Sequence, residues 1–353
     1  MKLYHAMSKQ VAEAWQQAEN PILLHYTGSM FGMGCDARNQ AAISRLNTLK
    51  QRPQSSGYIV LAADYRQLVE YQVQMTPKFA GLIRQYSPGS LTAVLPCTHP
   101  QLQHLLLNNK IAFRIPAAPL IRQFLKATGS PLISTSINVA GARPQTDYRY
   151  ILAGYKTWFD LALLPENELV APGEPSTVVT TEDDKLICLR EGLLDFSELK
   201  EDFEHPLITF VCTGNICRSP LAEYYFRQQV ELHGLPYRTA SAGFMASDIK
   251  ISENSRLVLQ QDGINANAHL SETLNHEIVR RSRLVLTMTQ YHKNSLINTG
   301  WRSDHVYTLA EYIGKNIDVE DPYQEPLEMY QQTYQQIKYF IDLLIAKLVQ
   351  EQK

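Results

Sequence analysis

Residues 207–220 read Leu207-Ile-Thr-Phe-Val-Cys-Thr-Gly-Asn-Ile-Cys-Arg-Ser-Pro220. The apolar run Leu207–Val211 predicts a short buried strand, and Pro220 predicts the first position of a helix, where a missing N–H does no harm. A loop joining a strand to a helix start wraps an anion with backbone N–H groups and aims the positive helix end at it. That field is expected to favour a nucleophilic thiolate at Cys212. Arg218 supplies a planar fork for two phosphate oxygens. Gly214 is read as allowing the tight backbone path, and Ser219 as a donor that favours the thiolate. Cysteine and arginine at this spacing fit a buried thiol and a surface cation equally well when taken alone. The strand before and the amphipathic helix after them turn the reading towards attack on a phosphate ester.

Such chemistry needs a general acid for the leaving group, and Asp321-Pro322-Tyr323 is the candidate late in the chain. With the matches Cys212–Pro220, Leu221-Ala-Glu223, Ser241-Ala-Gly243, His269-Leu-Ser271 and Asp321-Pro-Tyr323, residues 206–353 resemble the low-molecular-weight protein tyrosine phosphatase family. The resemblance implies a Rossmann-like parallel sheet flanked by helices and a cofactor-free phosphatase. It makes Cys212 the nucleophile, Arg218 the phosphate clamp, and Asp321 the acid and then the base. Asn215 would hold the loop and Ser219 tune the thiolate, with Thr213, Gly214, Ile216 and Cys217 completing the phosphate loop. Cys217 is either a partner for a reversible disulfide with Cys212 or a small loop filler. Protein arginine phosphatases resemble this segment too, in Leu309-Ala-Glu-Tyr-Ile-Gly314, but typically carry Thr where Ile216 stands. Ile216 therefore favours phosphotyrosine in a phosphoprotein. Arsenate reduction on the same fold needs further cysteines downstream, and none follows Cys217. Two positions depart from the family: a polar run follows Phe244-Met245, and Thr289 stands where an acidic residue is usual.

At 353 residues the chain is long enough for two domains. A hydrophobic content of 44% and a charged content of 19% describe a soluble globular protein. No apolar stretch approaches a membrane span, and the N-terminus lacks a secretion signal, so a cytoplasmic protein without a membrane partner is expected. The net charge of −2 provides no global field for nucleic acid. Five scattered cysteines (35, 97, 188, 212 and 217) match neither a disulfide framework nor a metal site. The charged stretch before Pro206 reads as a connector, separating domains 1–200 and 206–353.

In the first of these, strand-like runs at 21–25, 58–62, 91–95, 111–115, 131–136, 176–180 and 186–189 alternate with helical stretches at 41–49 and 119–128. That pattern predicts a mixed α/β sheet. Lys50-x-Arg52-Pro53 puts two cations at a helix end. Ser134-Thr-Ser136-Ile-Asn138 closes a buried strand with hydroxyls and an amide. Arg114 inside an apolar run needs an anionic partner. Piece by piece these are ordinary helix ends and turns; together they suit a polyphosphate and a carboxylate.

As a set they resemble the YrdC-like threonylcarbamoyl-AMP synthase family over residues 8–195, with further matches at Thr27, Phe31-Gly-Met-Gly34, Ser87-Pro-Gly89, Pro175–Val179 and Arg190. The resemblance implies a twisted mixed α/β sheet and a nucleotidyltransferase. Its product is threonylcarbamoyl-AMP, formed from ATP with Mg2+, bicarbonate and L-threonine and used on adenosine-37 of tRNA. Lys50, Arg52, Ser136, Asn138 and Arg190 would bind ATP. Thr27, Arg114, Ser134 and Ser176 would bind threonine. The partners implied are these substrates, tRNA or tRNA-modification proteins, and the phosphoprotein of the second domain. The family's Pro-Thr-acidic triplet is Tyr26-Thr27-Gly28 here, Ser87 replaces a Trp, and Ala118-Pro119 stands for His-Pro. A nucleotide- or RNA-binding module without synthase activity is the competing reading; pyrophosphate release separates the two.

Overall fold

A computed structural model describes residues 1–52, 57–167 and 170–351. Pro53 and the last two residues of the expected second domain lie outside them. The chain divides into two compact units, Met1–Lys200 and Glu201–Lys353.

In the second unit, β-strands Leu207–Cys212, Arg238–Gly243, Ser282–Thr287 and Val306–Thr308 form a parallel sheet. The Leu207–Cys212 strand is central, with Arg238–Gly243 on one side and Ser282–Thr287 on the other. Its side chains alternate between two cores. Ile208, Phe210 and Cys212 join the cluster with Phe226 and Ile341, while Val211 joins Val285, Leu296 and Val306. Helix Arg218–Leu232 buries Leu221, Ala222, Tyr225, Phe226 and Val230 at helical spacing. Helix Leu327–Glu351 packs against it with Tyr330, Tyr334, Ile337, Ile341 and Leu344. The strand order reverses at the carboxyl end of Leu207–Cys212, which opens a crevice there. Cys212 stands at that end.

In the first unit the strands are β1 (Lys2–Tyr4), β2 (Leu23–Tyr26), β3 (Phe31–Asp36), β4 (Ile59–Leu61), β5 (Leu91–Pro96), β6 (Lys110–Arg114), β7 (Leu132–Ser136), β8 (Leu161–Leu163), β9 (Thr177–Glu182) and β10 (Lys185–Arg190). They form one mixed sheet in the order β1-β8-β2-β3-β7-β4-β6-β5-β9-β10. Helix Gln40–Lys50 is capped by Asn39, whose Oδ1 accepts the Ala42 N–H at 3.0 Å, and left-handed Gln51 ends it. Lys50 is thereby fixed in its last turn. Helix Pro119–Thr128 starts on Pro119 and stops at Gly129, and its Phe124 meets Trp15 of helix Lys9–Gln17 edge-on at 5.2 Å.

The structure adds elements that the sequence pattern did not predict. β1, β3 and β8 are three-, six- and three-residue strands. The alternation of β3 is masked by Gly32 and Gly34, which are glycines for steric reasons. A Cβ at Gly32 would lie 2.6 Å from His25 Cε1, and one at Gly34 would lie 2.2 Å from the Ile133 carbonyl oxygen. Helices Tyr65–Glu70, Pro77–Gln85 and Tyr148–Tyr155 were also not anticipated. The stretch read as a charged connector is instead a helix, Phe196–Glu204, with Leu199, Asp202 and Phe203 buried. Charges on its outer face hid that apolar spacing.

Candidate active sites

Helix Arg218–Leu232 begins two residues before Pro220, with Cys217 as its N-cap, so the proline sits within the first turn rather than opening it. Its missing N–H is still one of the helix's unused donors. The loop Thr213–Cys217 therefore curls around the helix N-terminus with Cys212 beneath it. The Asn215 N–H donates to Cys212 Sγ at 3.3 Å, and Ser219 Oγ lies 3.0 Å from the same sulfur. The sulfur thus faces a backbone donor, a hydroxyl and a helix N-terminus.

The tight path is not made by Gly214, where a Cβ would meet only the Ile216 side chain at 3.6 Å. Asn215 takes the left-handed turn, with φ 54°. The close approach falls on Gly243, where a Cβ would lie 2.7 Å from the Thr213 oxygen and 2.8 Å from the Asn215 nitrogen. Fully buried Asn215 is held from every side. Its Nδ2 donates to Ser219 Oγ (2.9 Å) and Ser241 Oγ (2.7 Å), its Oδ1 accepts the Glu272 N–H (2.8 Å), and its carbonyl meets His269 Nε2 (2.8 Å). Ser241 donates in turn to Glu223 Oε2 at 2.6 Å, and burial pushes that carboxyl up. The separate motifs around Glu223, Ser241 and His269 thus converge on one asparagine, a role their sequence positions did not disclose.

Arg218 is 5% exposed; its Nη2 donates to Asp321 Oδ2 at 2.5 Å and its Nη1 to the Val319 carbonyl at 3.4 Å. Its Nε has no hydrogen-bond partner among the described residues. The guanidinium thus keeps an unused donor in the loop and holds the candidate acid beside it. Cys217 is buried, 3.5 Å from both Ser252 Oγ and Tyr330 Oη, and burial pushes its thiol up. Burial thus favours the neutral thiol over the thiolate at Cys217.

The candidate residues of the first unit fall into two sets, one around Lys50 and one around Arg114. Lys50 Nζ donates to the Ser136 carbonyl and, at 3.0 Å, to Asn138 Oδ1, which also accepts from Ser136 Oγ at 2.6 Å. Arg52 lies over the Tyr58 ring at 4.9 Å. Arg114 Nε donates to the Gly89 carbonyl at 2.9 Å, and its Nη2 reaches Ser29 and Ser90 Oγ at 3.4 Å. Arg190 holds the Ser176 carbonyl and hydroxyl, and Ser176 Oγ lies 2.7 Å from Thr92 Oγ1. The anionic partner expected for Arg114 is absent from the described residues. No carboxylate there pairs with Lys50, Arg114 or Arg190. Burial and the charge of Arg52 lower Lys50 to about 8; burial and Arg190 lower Arg114 to about 10. Carbonyl, amide and hydroxyl oxygens meet these cations instead.

Thr27 donates its hydroxyl to the Met30 carbonyl at 3.0 Å, and Ser134 Oγ lies 3.2 Å from His25 Nε2. His25 is fully buried, and desolvation, with Arg114 second, lowers it to about 3. Ser29, Ser90, Thr92 and His25 were not singled out from sequence. Only their cross-strand positions bring them to Arg114, Ser176 and Ser134. Gly28, with φ 105°, leaves no room for a side chain: a Cβ would lie 2.8 Å from Ala117 Cβ.

The second unit thus carries a cysteine–arginine loop at a helix N-terminus, and the first a mixed sheet with buried cations. Residues 18–192 match the family model described as "Telomere recombination", named for Sua5, YciO and YrdC, and residues 207–353 match "Low molecular weight phosphotyrosine protein phosphatase". The first is similar to a threonylcarbamoyl-AMP synthase of Vibrio parahaemolyticus, 37% identical over 139 residues, 38% of this chain and 74% of the relative. The second is similar to a low-molecular-weight protein tyrosine phosphatase from T. tengcongensis (37% identity, 40% of this chain, 99% of that one, TM-score 0.40). It is also similar to the YwlE arginine phosphatase of Geobacillus stearothermophilus (34% identity, 42% and 95%, TM-score 0.39). The chain belongs to both families, joining a Sua5/YciO/YrdC domain to a low-molecular-weight phosphotyrosine protein phosphatase domain.

Proposed function

We propose a bifunctional enzyme whose second domain, 206–353, hydrolyses phosphotyrosine in phosphoproteins through a phosphocysteine. The observation that carries this reading is the loop at a helix N-terminus in which the Asn215 N–H and Ser219 Oγ meet Cys212 Sγ, while Arg218 of that helix holds Asp321. Arg218 turns its donors from Asp321 to two phosphate oxygens, freeing the carboxyl. The Cys212 thiolate attacks phosphorus as the bond to the aryl oxygen breaks, and Asp321 gives that oxygen its proton. Asp321 then takes a proton from water, whose oxygen attacks phosphorus and displaces the thiolate. The loop N–H groups and the helix end stabilise the charge on the transferring group. Cys212→Ser abolishes hydrolysis of an aryl phosphate, and a variant retaining more than about a few per cent of the rate overturns the assignment.

The first domain, 1–200, forms threonylcarbamoyl-AMP from ATP, bicarbonate and L-threonine and releases pyrophosphate, supplying tRNA modification in the cytoplasm. No helix among the described residues is long and apolar enough to cross a membrane. Lys50, Arg52, Ser136, Asn138 and Arg190 hold the nucleotide; Arg114, Ser134, Ser176 and Thr27 hold threonine, with Arg114 on its carboxylate. Magnesium enters with the triphosphate; among the described residues no group of three or more His, Cys, Asp or Glu could hold a metal ion. Pyrophosphate release that is abolished by Lys50→Ala supports the synthase. The side-chain-free Gly28 favours one second reading, a binding module. ATP binding without pyrophosphate release would support it.

A further inference from the structure

His292 takes no part in the chemistry above, yet it lies at the phosphate loop. It is carried in the first turn of helix Gln290–Ile297 and is 3% exposed. Its Nε2 lies 2.8 Å from Thr213 Oγ1, the hydroxyl next to the nucleophile in sequence, and its Nδ1 lies 2.8 Å from Thr289 Oγ1. The ring is stacked on Phe244 (centroids 6.0 Å, 14°), which fixes its plane. Thr289 caps the helix by accepting the His292 backbone N–H at 3.2 Å. Its own hydroxyl proton is then free to go to Nδ1. Burial, and after it the charge of Arg218, lowers the imidazole to about 4, so it is neutral near pH 7. A neutral imidazole has one donor and one acceptor. In the tautomer in which Nδ1 accepts from Thr289, Nε2–H donates to Thr213 Oγ1. That leaves the Thr213 proton unspent on the exposed side of a loop whose Cys212 and Asn215 are buried.

We propose that His292, set by Thr289, is a positioning residue of the phosphatase domain: it orients the Thr213 hydroxyl so that its proton is donated to the bound phosphate ester. The inference rests on the phosphatase reading of the Cys212 loop. Met288-Thr289, the place where the family's usual acidic residue is replaced, thereby acquires a role.

The test uses the full chain and compares wild type with His292→Phe, His292→Gln, Thr213→Val and His292→Phe/Thr213→Val. Three quantities are read: KM and kcat for an aryl phosphate, and the concentration of inorganic phosphate that protects Cys212 from iodoacetamide, followed on the Cys212 peptide by mass spectrometry. Loss of one hydrogen bond to a charged group weakens phosphate protection about tenfold to a hundredfold. His292→Phe and Thr213→Val each show that loss, mainly in KM. The double variant loses no more than the worse single one, and His292→Gln, whose amide can still donate to Thr213, recovers part of it. Additive losses, or a lowered melting temperature with unchanged phosphate protection, overturn the proposal. Should His292→Phe fail to fold, unchanged protection in Thr213→Val overturns it alone. A wild type that hydrolyses no aryl phosphate, but whose phosphate protection weakens in Thr213→Val, refutes the phosphatase reading and supports the positioning role.

Discussion

Replacing Asn215 by alanine tests whether the phosphate loop is held from beneath. The substitution removes three side-chain hydrogen bonds, two donated to Ser219 and Ser241 and one accepted from the Glu272 N–H. At about 1 kcal/mol net for each, they contribute roughly 3 kcal/mol. Alanine must also adopt the left-handed φ of 54°, which adds about 1–2 kcal/mol. The expected loss is therefore roughly 4–5 kcal/mol. Asn215→Gly loses the same hydrogen bonds without the backbone strain. Its greater unfolded-state entropy offsets about 0.4–1 kcal/mol of that relief, so it is more stable than the alanine variant by roughly 0–1.6 kcal/mol. Hydrogen exchange on peptides covering Leu207–Cys212 and Arg218–Leu232 reads the opening free energy of this unit by itself. Aryl phosphate kcat/KM falls in both variants, because the Cys212 thiolate loses its ordered donor. A loss below about 1 kcal/mol for alanine, or a glycine variant less stable than alanine, refutes the reasoning.

Asp321→Ala slows substrates with poor leaving groups far more than activated aryl phosphates, since its proton matters least to a good leaving group; equal losses on both show that Asp321 is not the acid. Ile216→Thr shifts preference from phosphotyrosine towards phosphoarginine, and matched peptides on which the wild type already prefers phosphoarginine contradict this. ATP affinity of the first domain is full while Lys50 is protonated and falls as pH rises through about 8, because burial has depressed that pKa and the phosphates need the cation. The bound nucleotide raises the midpoint, so the free and bound proteins differ in proton uptake. Titration calorimetry that gives a flat affinity to pH 10 would remove Lys50 from the nucleotide site.

The parts of this protein legible in sequence are those written locally. Leu207–Val211, the loop to Pro220 and the helix behind it are contiguous, so a strand, an anion-binding turn and a helix start follow from neighbouring residues alone. Helices Gln40–Lys50 and Pro119–Thr128 were legible in the same way, through their apolar spacing and end residues. What the sequence could not determine depends on residues far apart in the chain. The close approach at the loop falls on Gly243 rather than Gly214 because a neighbouring parallel strand sets the space above Asn215. β3 escaped notice because its glycines answer to His25 and Ile133 across the sheet rather than to any local alternation. Arg114 looked in need of an anion, but only the pairing of strands shows that Gly89, Ser29 and Ser90 meet it with carbonyl and hydroxyls. His292 and Thr213 stand 79 residues apart. Local preference sets each element's conformation, but a side chain's partner is chosen by sheet order and register, which burial of the whole core decides.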